Sequence, residues 1–322
     1  MTRLVIVPLL VLIACGDDDP DSTPDASLSD ASPVDGAADA SLADTSIPDA
    51  RTDGEAVGTC PAGLLCGGAD IVVDAAWLAE RIDEPNLQVV DARGDVAFAQ
   101  GHIPGAAVVD AADLRATVNG VGGQVVDQAT AEMVFRAAGL RRDAAIVVYG
   151  PDTTTTPARV VWTLEYFGHE SVALLDGGFS AWTAGGGAME MGSAGATPSE
   201  YAVGLDEDRR VDVEFITGRL AGPGLHLIDA RSSGEYEAGR LPTALSVDWT
   251  LNVASGELRS TDELDALYPG LDRSETIVTY CQTGSRASVS YVVLRALGFS
   301  DVRLYDGSWA EWGPRMDLPR EP

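Results

Sequence analysis

Two long stretches of this chain repeat each other in register. Val90-Asp91-Ala92-Arg93 returns as Ile228-Asp229-Ala230-Arg231, and Gly101-His102-Ile103-Pro104-Gly105-Ala106 returns as Gly239-Arg240-Leu241-Pro242-Thr243-Ala244. Asp74 and Asp212, each standing before a helical pattern, share the same offset of 138 residues. Further on, Ile146–Gly150 aligns with Ile277–Cys281 at an offset of 131, and Leu175-Asp176-Gly177 with Tyr305-Asp306-Gly307 at 130. The first copy therefore carries about seven extra residues in its middle. Similarity held over such a length marks a duplicated unit, and each copy must bury a core of its own. The expected organisation is one domain over residues 67–192, a Gly/Ala/Ser/Pro-containing linker over 193–209, and a second domain over 210–320.

Within each copy strands alternate with helices. In the second, Leu225–Ile228 and Thr276–Tyr280 are short apolar runs that read as strands. Val289, Val292, Val293, Ala296 and Leu297 then fall on one face of a helix, which Gly298 ends. Asp301–Tyr305 is the next strand. Such alternation predicts an α/β fold in which each domain is a mainly parallel sheet with helices on both faces.

The balance of charge narrows the partners. The chain has 50 acidic residues against 21 basic ones, all of them arginine, for a net charge of −29. That excludes nucleic-acid binding, which needs a basic footprint, and adsorption to anionic lipid. Hydrophobic residues make up 45% of the chain, enough for two real cores.

The N-terminus reads as a processing signal. Residues 1–15 carry one arginine and then the apolar run Leu4–Ala14, too short to span a bilayer. Its end, Leu12-Ile13-Ala14-Cys15, resembles the bacterial lipobox. That resemblance implies cleavage before Cys15, lipidation of Cys15, and export to the cell envelope with the lipid as the only membrane contact. Gly16 rather than Asp after the Cys favours the periplasmic face of the outer membrane. Residues 16–58 hold 12 acids, one Arg and almost no large apolar side chains. They cannot offset their ordering entropy and are expected to form a disordered acidic tether.

With Cys15 lipidated, three cysteines remain. Cys60 and Cys66 flank a short Pro/Gly-containing loop, and in an oxidising compartment a disulfide between them is one reading, two free thiols the other. Two Cys without a neighbouring His do not fill a tetrahedral metal site, so no metal is expected. Cys281 has no partner. It stands at the carboxyl end of the Thr276–Tyr280 strand, before a helix, where ligands of parallel sheets sit. The next residues, Gln282, Thr283, Gly284 and Ser285, are mostly small. They let the loop curl so that its N–H groups converge on one point and, with the helix dipole, favour a thiolate. Arg286 closes the loop with a permanent cation suited to an oxyanion.

The Asp-Ala-Arg and Gly-His-Ile-Pro-Gly-Ala blocks, together with the six-residue loop Cys281–Arg286, resemble the tandem-domain rhodanese family of sulfurtransferases over about 250 residues. The resemblance implies two rhodanese-like domains, of which the second is catalytic. It implies that Cys281 takes a sulfane sulfur from a small anionic donor such as thiosulfate, holds it as a persulfide, and passes it to a thiol or to cyanide. Gln282, Thr283, Gly284, Ser285 and Arg286 become the substrate cradle, and no cofactor is implied. Gly150 occupies the position of Cys281 in the first copy, which marks that copy as inactive.

Some residues depart from the family. Relatives that use 3-mercaptopyruvate carry a substrate-anchoring arginine shortly after the second Asp-x-Arg, where this chain has Glu235, and their loop often reads Cys-Gly-Ser-Gly. These differences favour thiosulfate over 3-mercaptopyruvate. A phosphatase is the nearest rival enzyme, but its loop needs Cys-x5-Arg against the Cys-x4-Arg here. A non-catalytic binding module is the rival from outside enzymology. Asp229 and Arg231 either support the loop from behind or form a buried structural ion pair. His102 reads as part of the Pro-Gly turn, and Trp309 and Trp312 as core or pocket wall.

Overall fold

The computed structural model describes Leu65 and residues 68–322, apart from 194 and 221. Cys15, Cys60 and Cys66, and with them the signal, tether and disulfide readings, lie outside the described residues. The first copy contains strands β1 (Val72–Val73), β2 (Leu87–Asp91), β3 (Ala107–Val108), β4 (Arg115–Val118), β5 (Val121–Val125), β6 (Ala145–Tyr149) and β7 (Val172–Leu175). Between them run helices α1 (Ala75–Arg81), α2 (Asp95–Gln100), α3 (Gln128–Ala137), α4 (Thr155–Tyr166) and α5 (Gly178–Ala184). The second contains β8 (Arg210–Val211), β9 (Leu225–Asp229), β10 (Leu245–Ser246), β11 (Val253–Ala254), β12 (Glu257–Leu258), β13 (Thr276–Tyr280) and β14 (Asp301–Tyr305). Its helices are α6 (Val213–Thr217), α7 (Ser233–Glu237), α8 (Thr261–Leu267), α9 (Ser285–Ala296) and α10 (Ser308–Trp312).

Each copy builds a five-stranded, all-parallel sheet of one topology, β1-β7-β6-β2-β3 in the first and β8-β14-β13-β9-β10 in the second. The expected α/β architecture is found. Asp74 and Asp212 are the N-caps of α1 and α6, their carboxylates accepting from the Trp77 and Phe215 N–H groups at 2.7 and 2.8 Å. The central strands β6 and β13 are apolar runs, buried along nearly their whole length.

Helix α9 departs from the one-faced pattern read from its valines. Ala287–Arg295 is buried on every side, because its second face packs on α4 of the first copy, itself buried from Pro157 to Tyr166. Two polar residues of that face are bonded across the domain boundary. Tyr291 donates to Glu165 Oε2 at 2.8 Å, and Arg295 donates to Glu165 Oε1 at 3.0 Å.

Two antiparallel hairpins stand outside the sheets, and they are exchanged between the copies. β4–β5 of the first copy reaches the second, where the Val125 N–H donates to Asp306 at 2.7 Å. β11–β12 of the second reaches the first, where the Leu258 N–H donates to Asp176 at 2.8 Å and Gly256 O accepts from the Thr153 N–H at 2.8 Å. Asp176 and Asp306 are the aspartates of the repeated Asp-Gly turns. Much of the first copy's extra length falls in its hairpin, whose strands have four and five residues against two and two.

Candidate active site

The site is assembled at the carboxyl end of β13, the middle strand of the second sheet. Cys281 follows directly and is 1% exposed. Its backbone is fixed from the turn after β14. The Cys281 N–H donates to Ser308 Oγ at 3.2 Å, its carbonyl accepts from the Trp309 N–H at 3.0 Å, and Gln282 O accepts from the Ala310 N–H at 3.0 Å. Ser308 in turn donates to Tyr305 O at 2.8 Å. It does so from a left-handed backbone, φ +52°, that costs an L-residue of order 1–2 kcal/mol. The first copy has Gly178 at this position, φ +53°, where a Cβ would lie 2.6 Å from Gly150 O. The thiol and the serine that braces it are thus both absent from the first copy.

Gly284 begins α9 from the left-handed region, φ +84°, with no side-chain cap on the helix. Among the described residues no acceptor takes the backbone N–H groups of Gln282, Thr283, Gly284, Ser285 or Arg286. These donors lead from the thiol-bearing residue into the start of a 12-residue helix, whose N-terminus favours negative charge. Gly284 must be glycine for a second reason. A Cβ there would stand 2.7 Å from Arg159 Nη1 and 2.9 Å from Asp306 Oδ1. Arg159, fully buried on α4, donates to Asp306 at 2.6 Å, so an ion pair between the copies lies directly against the loop. On the other side, a Cβ on Gly123 would be 3.0 Å from the Thr283 Cβ. The first copy's hairpin and α4 therefore wall the loop.

Arg286 is not the free cation that the sequence suggests. Its guanidinium makes two parallel bonds to Glu235, at 2.6 and 2.7 Å. Glu235 is the third residue of α7 and completes a capping box with Ser232. The Arg286 bonds, helped by Ser232, hold the Glu235 carboxyl down at about 2. Glu235, against the loss of water around the guanidinium, raises Arg286 above its ordinary value, and the neighbouring Cys281 acts in the same sense as Glu235. The residue read from sequence as a mere departure from an anchoring arginine is the partner that neutralises the loop cation.

Asp229 and Arg231 form a buried pair at 2.6 Å, with Arg231 also donating to Gly239 O at 2.7 Å. Asp91, Arg93 and Gly101 repeat this arrangement in the first copy, at 2.7 and 2.6 Å. A pair present in both copies, one of them without a thiol, holds the Asp-Ala-Arg turn onto the Gly-x-x-Pro turn. Its second contact is with Trp309, the residue whose N–H holds the Cys281 carbonyl: Arg231 lies over that ring at 4.6 Å. Trp312 is fully buried in the core. His102 stacks on Phe98 at 3.7 Å between ring centres and bonds Phe98 O through Nδ1, remote from the loop and within its turn. Among the described residues no group of His, Cys, Asp or Glu could hold a metal.

Sequence reading missed Ser308, Asp306 and Arg159. One signal was available for the first: Asp176-Gly177-Gly178 against Asp306-Gly307-Ser308, a substitution that tracks Gly150 against Cys281. The others act across the boundary between copies, which no repeat alignment reveals.

The profile of the rhodanese-like domain matches residues 74–185 and 213–314. The chain is 36% identical over 278 residues to the thiosulfate sulfurtransferase of Corynebacterium glutamicum, covering 78% of this chain and 90% of that protein. It is 33% identical over 273 residues to the 3-mercaptopyruvate sulfurtransferase of Escherichia coli, covering 78% and 97%. The crystal structure of an Escherichia coli 3-mercaptopyruvate sulfotransferase superposes with a TM-score of 0.68 at 31% identity, over 74% of this chain and 98% of that one.

Proposed function

Because the chain belongs to the rhodanese family and is a sulfurtransferase, we propose that it moves the outer sulfur of thiosulfate to cyanide or a thiol through a persulfide on Cys281. The Cys281 thiolate attacks the outer sulfur and forms an S–S bond. The bond from that sulfur to the sulfonate breaks, and sulfite leaves with its electron pair. The acceptor then attacks the terminal sulfur, and the thiolate returns. The observation that carries this reading is the run of loop N–H groups, without acceptors among the described residues, directly after a buried thiol. Fixed dipoles of this kind stabilise the thiolate and then the terminal persulfide anion without reorganisation.

Thiosulfate is favoured over 3-mercaptopyruvate by Glu235. An α-keto acid needs a cation for its carboxylate beyond the groups that receive the sulfur, and Glu235 already holds Arg286. The division of labour follows: residues 210–320 carry the chemistry, residues 67–192 enclose it, and 193–209 join them. We further propose export and anchoring through Cys15, with Cys60 and Cys66 bonded in the same compartment. A Cys15→Ala protein should lose both membrane association and incorporated palmitate.

Steady-state turnover and intact-mass analysis test the reaction. Thiosulfate with cyanide should give turnover that Cys281→Ser abolishes. Thiosulfate alone should add one sulfur, about 32 Da, to the Cys281 peptide. Preference for 3-mercaptopyruvate in kcat/KM would overturn the donor, and persulfide on another cysteine would overturn the nucleophile.

A further inference from the structure

We propose that Arg115, contributed by the hairpin of the first domain, is the specificity residue that receives the anionic end of the sulfur donor, the sulfonate of thiosulfate. The inference rests on the reaction proposed above and names the group that recognises its substrate. A dianion must approach a protein of net charge −29, and a cation at the site has to offset that repulsion. The loop's own arginine does not supply it, since its charge is matched by Glu235. Arg159 and Arg231 are buried against Asp306 and Asp229, and Arg210 reaches Asp306 and Gln124. Of the arginines around the loop, Arg115 is the one without an ion pair among the described residues.

Its position follows from the hairpin. Arg115 pairs directly with Val125 across β4–β5, so both side chains leave the same face of the ribbon, about 5 Å apart. The ribbon is held to the second domain beside the loop: the Val125 N–H is bonded to Asp306, and two residues earlier Gly123 lies against Thr283. Arg115 itself is exposed. The loss of water around its guanidinium, then the like charge of Arg159, hold Arg115 below its ordinary value, while Asp110, Asp306 and Cys281 act in the opposite sense. Arg159, Asp306 and Cys281 are thus among the groups within reach of this side chain's charge. A planar guanidinium beside the thiol takes two oxygens of a sulfonate while the outer sulfur is presented to Cys281.

Arg115→Gln and Arg115→Lys test this in the full chain, with circular dichroism to establish folding. Loss of one charge-assisted contact should lower kcat/KM for thiosulfate by about 10- to 100-fold, mostly in KM, with Lys recovering part of it. A second measurement does not depend on turnover. Alkylation of Cys281 by anionic iodoacetate relative to neutral iodoacetamide reads the positive charge at the thiol, and this ratio should fall several-fold in Arg115→Gln. An unchanged ratio in a folded variant overturns the role of Arg115, whatever the donor. A wild-type protein without thiosulfate turnover, whose alkylation ratio still depends on Arg115, would overturn the donor and keep the anion site. A normal KM for thiosulfate with a reduced KM effect only for 3-mercaptopyruvate would also refute the assignment to the sulfonate.

Discussion

Adding one methyl group at Gly284 probes how the catalytic loop is held. Helix α9 has a left-handed glycine at each end, Gly284 at φ +84° and Gly298 at φ +85°. Alanine at either position meets the same backbone cost, about 1–2 kcal/mol. Beyond Gly298 a Cβ finds nothing within 4 Å, so Gly298→Ala should lose only that amount and keep full turnover. At Gly284 the Cβ would lie 2.7 Å from Arg159 Nη1 and 2.9 Å from Asp306 Oδ1. Neither can swing into solvent, since both are fully buried. The pair must separate or the loop must shift. Parting a buried pair costs ~3–5 kcal/mol, so Gly284→Ala should lose up to that much more than Gly298→Ala. Urea unfolding measures the two losses, and sulfur transfer from thiosulfate, expected to fall more than tenfold in Gly284→Ala alone, reports the loop. Truncating Arg159 to Ala in the Gly284→Ala background should recover part of the additional loss relative to Arg159→Ala alone. Equal destabilisation by the two glycine changes, with turnover kept in both, would refute the argument that the ion pair between domains shapes the loop.

Three further outcomes are expected. Glu235 has its carboxyl held near 2 against an ordinary 4.5, so its stabilising effect is complete above about 4.5 and is lost as pH falls toward 2; unfolding measured across that window should show Glu235→Gln and the wild type converging in stability as acid is added. His169, bonded through Nε2 to Ala144 O and through Nδ1 to the Tyr201 hydroxyl, is held neutral by burial, down at about 4. The fold should therefore lose up to about 3 kcal/mol as pH falls from about 6.5 to 4, and His169→Gln should flatten that slope. Thr243 sits at φ +65° where the first copy has Gly105 at +72°, so Thr243→Gly should raise the midpoint of urea unfolding, by a gain of about 0.5–1 kcal/mol after the entropy of glycine is offset. A lower midpoint would show that the threonine side chain holds that turn.

Much of this was legible in the chain because it is written twice. The register of the repeat gave the two sheets, and the apolar run Thr276–Tyr280 followed by Cys281 gave the end of the strand on which the site stands. What the repeat could not convey is how one copy touches the other. Tyr291 and Arg295 on α9 look like a solvated face, yet they meet Glu165 of α4. Arg286 looks like a free cation because Glu235, 51 positions earlier, carries no local sign that it will reach it. Arg115 belongs to the hairpin whose extra length is a gap in the alignment, the place where comparison of the copies has least to say.

The exchanged hairpins bear on the order in which the protein is made. A chain leaves the ribosome from its N-terminus, and domains fold largely in that sequence. The hairpin that walls the catalytic loop ends at Val125, whereas its anchor, Asp306, comes 181 residues later in the chain. The first domain must therefore complete its sheet with Val125 and Arg159 still awaiting their partner, and the loop is enclosed only once β14 and the turn after it are in place. A chain folded as far as β13 carries Cys281 without that enclosure, so this stage of folding is when the thiol is most open to oxidants and to stray disulfide exchange.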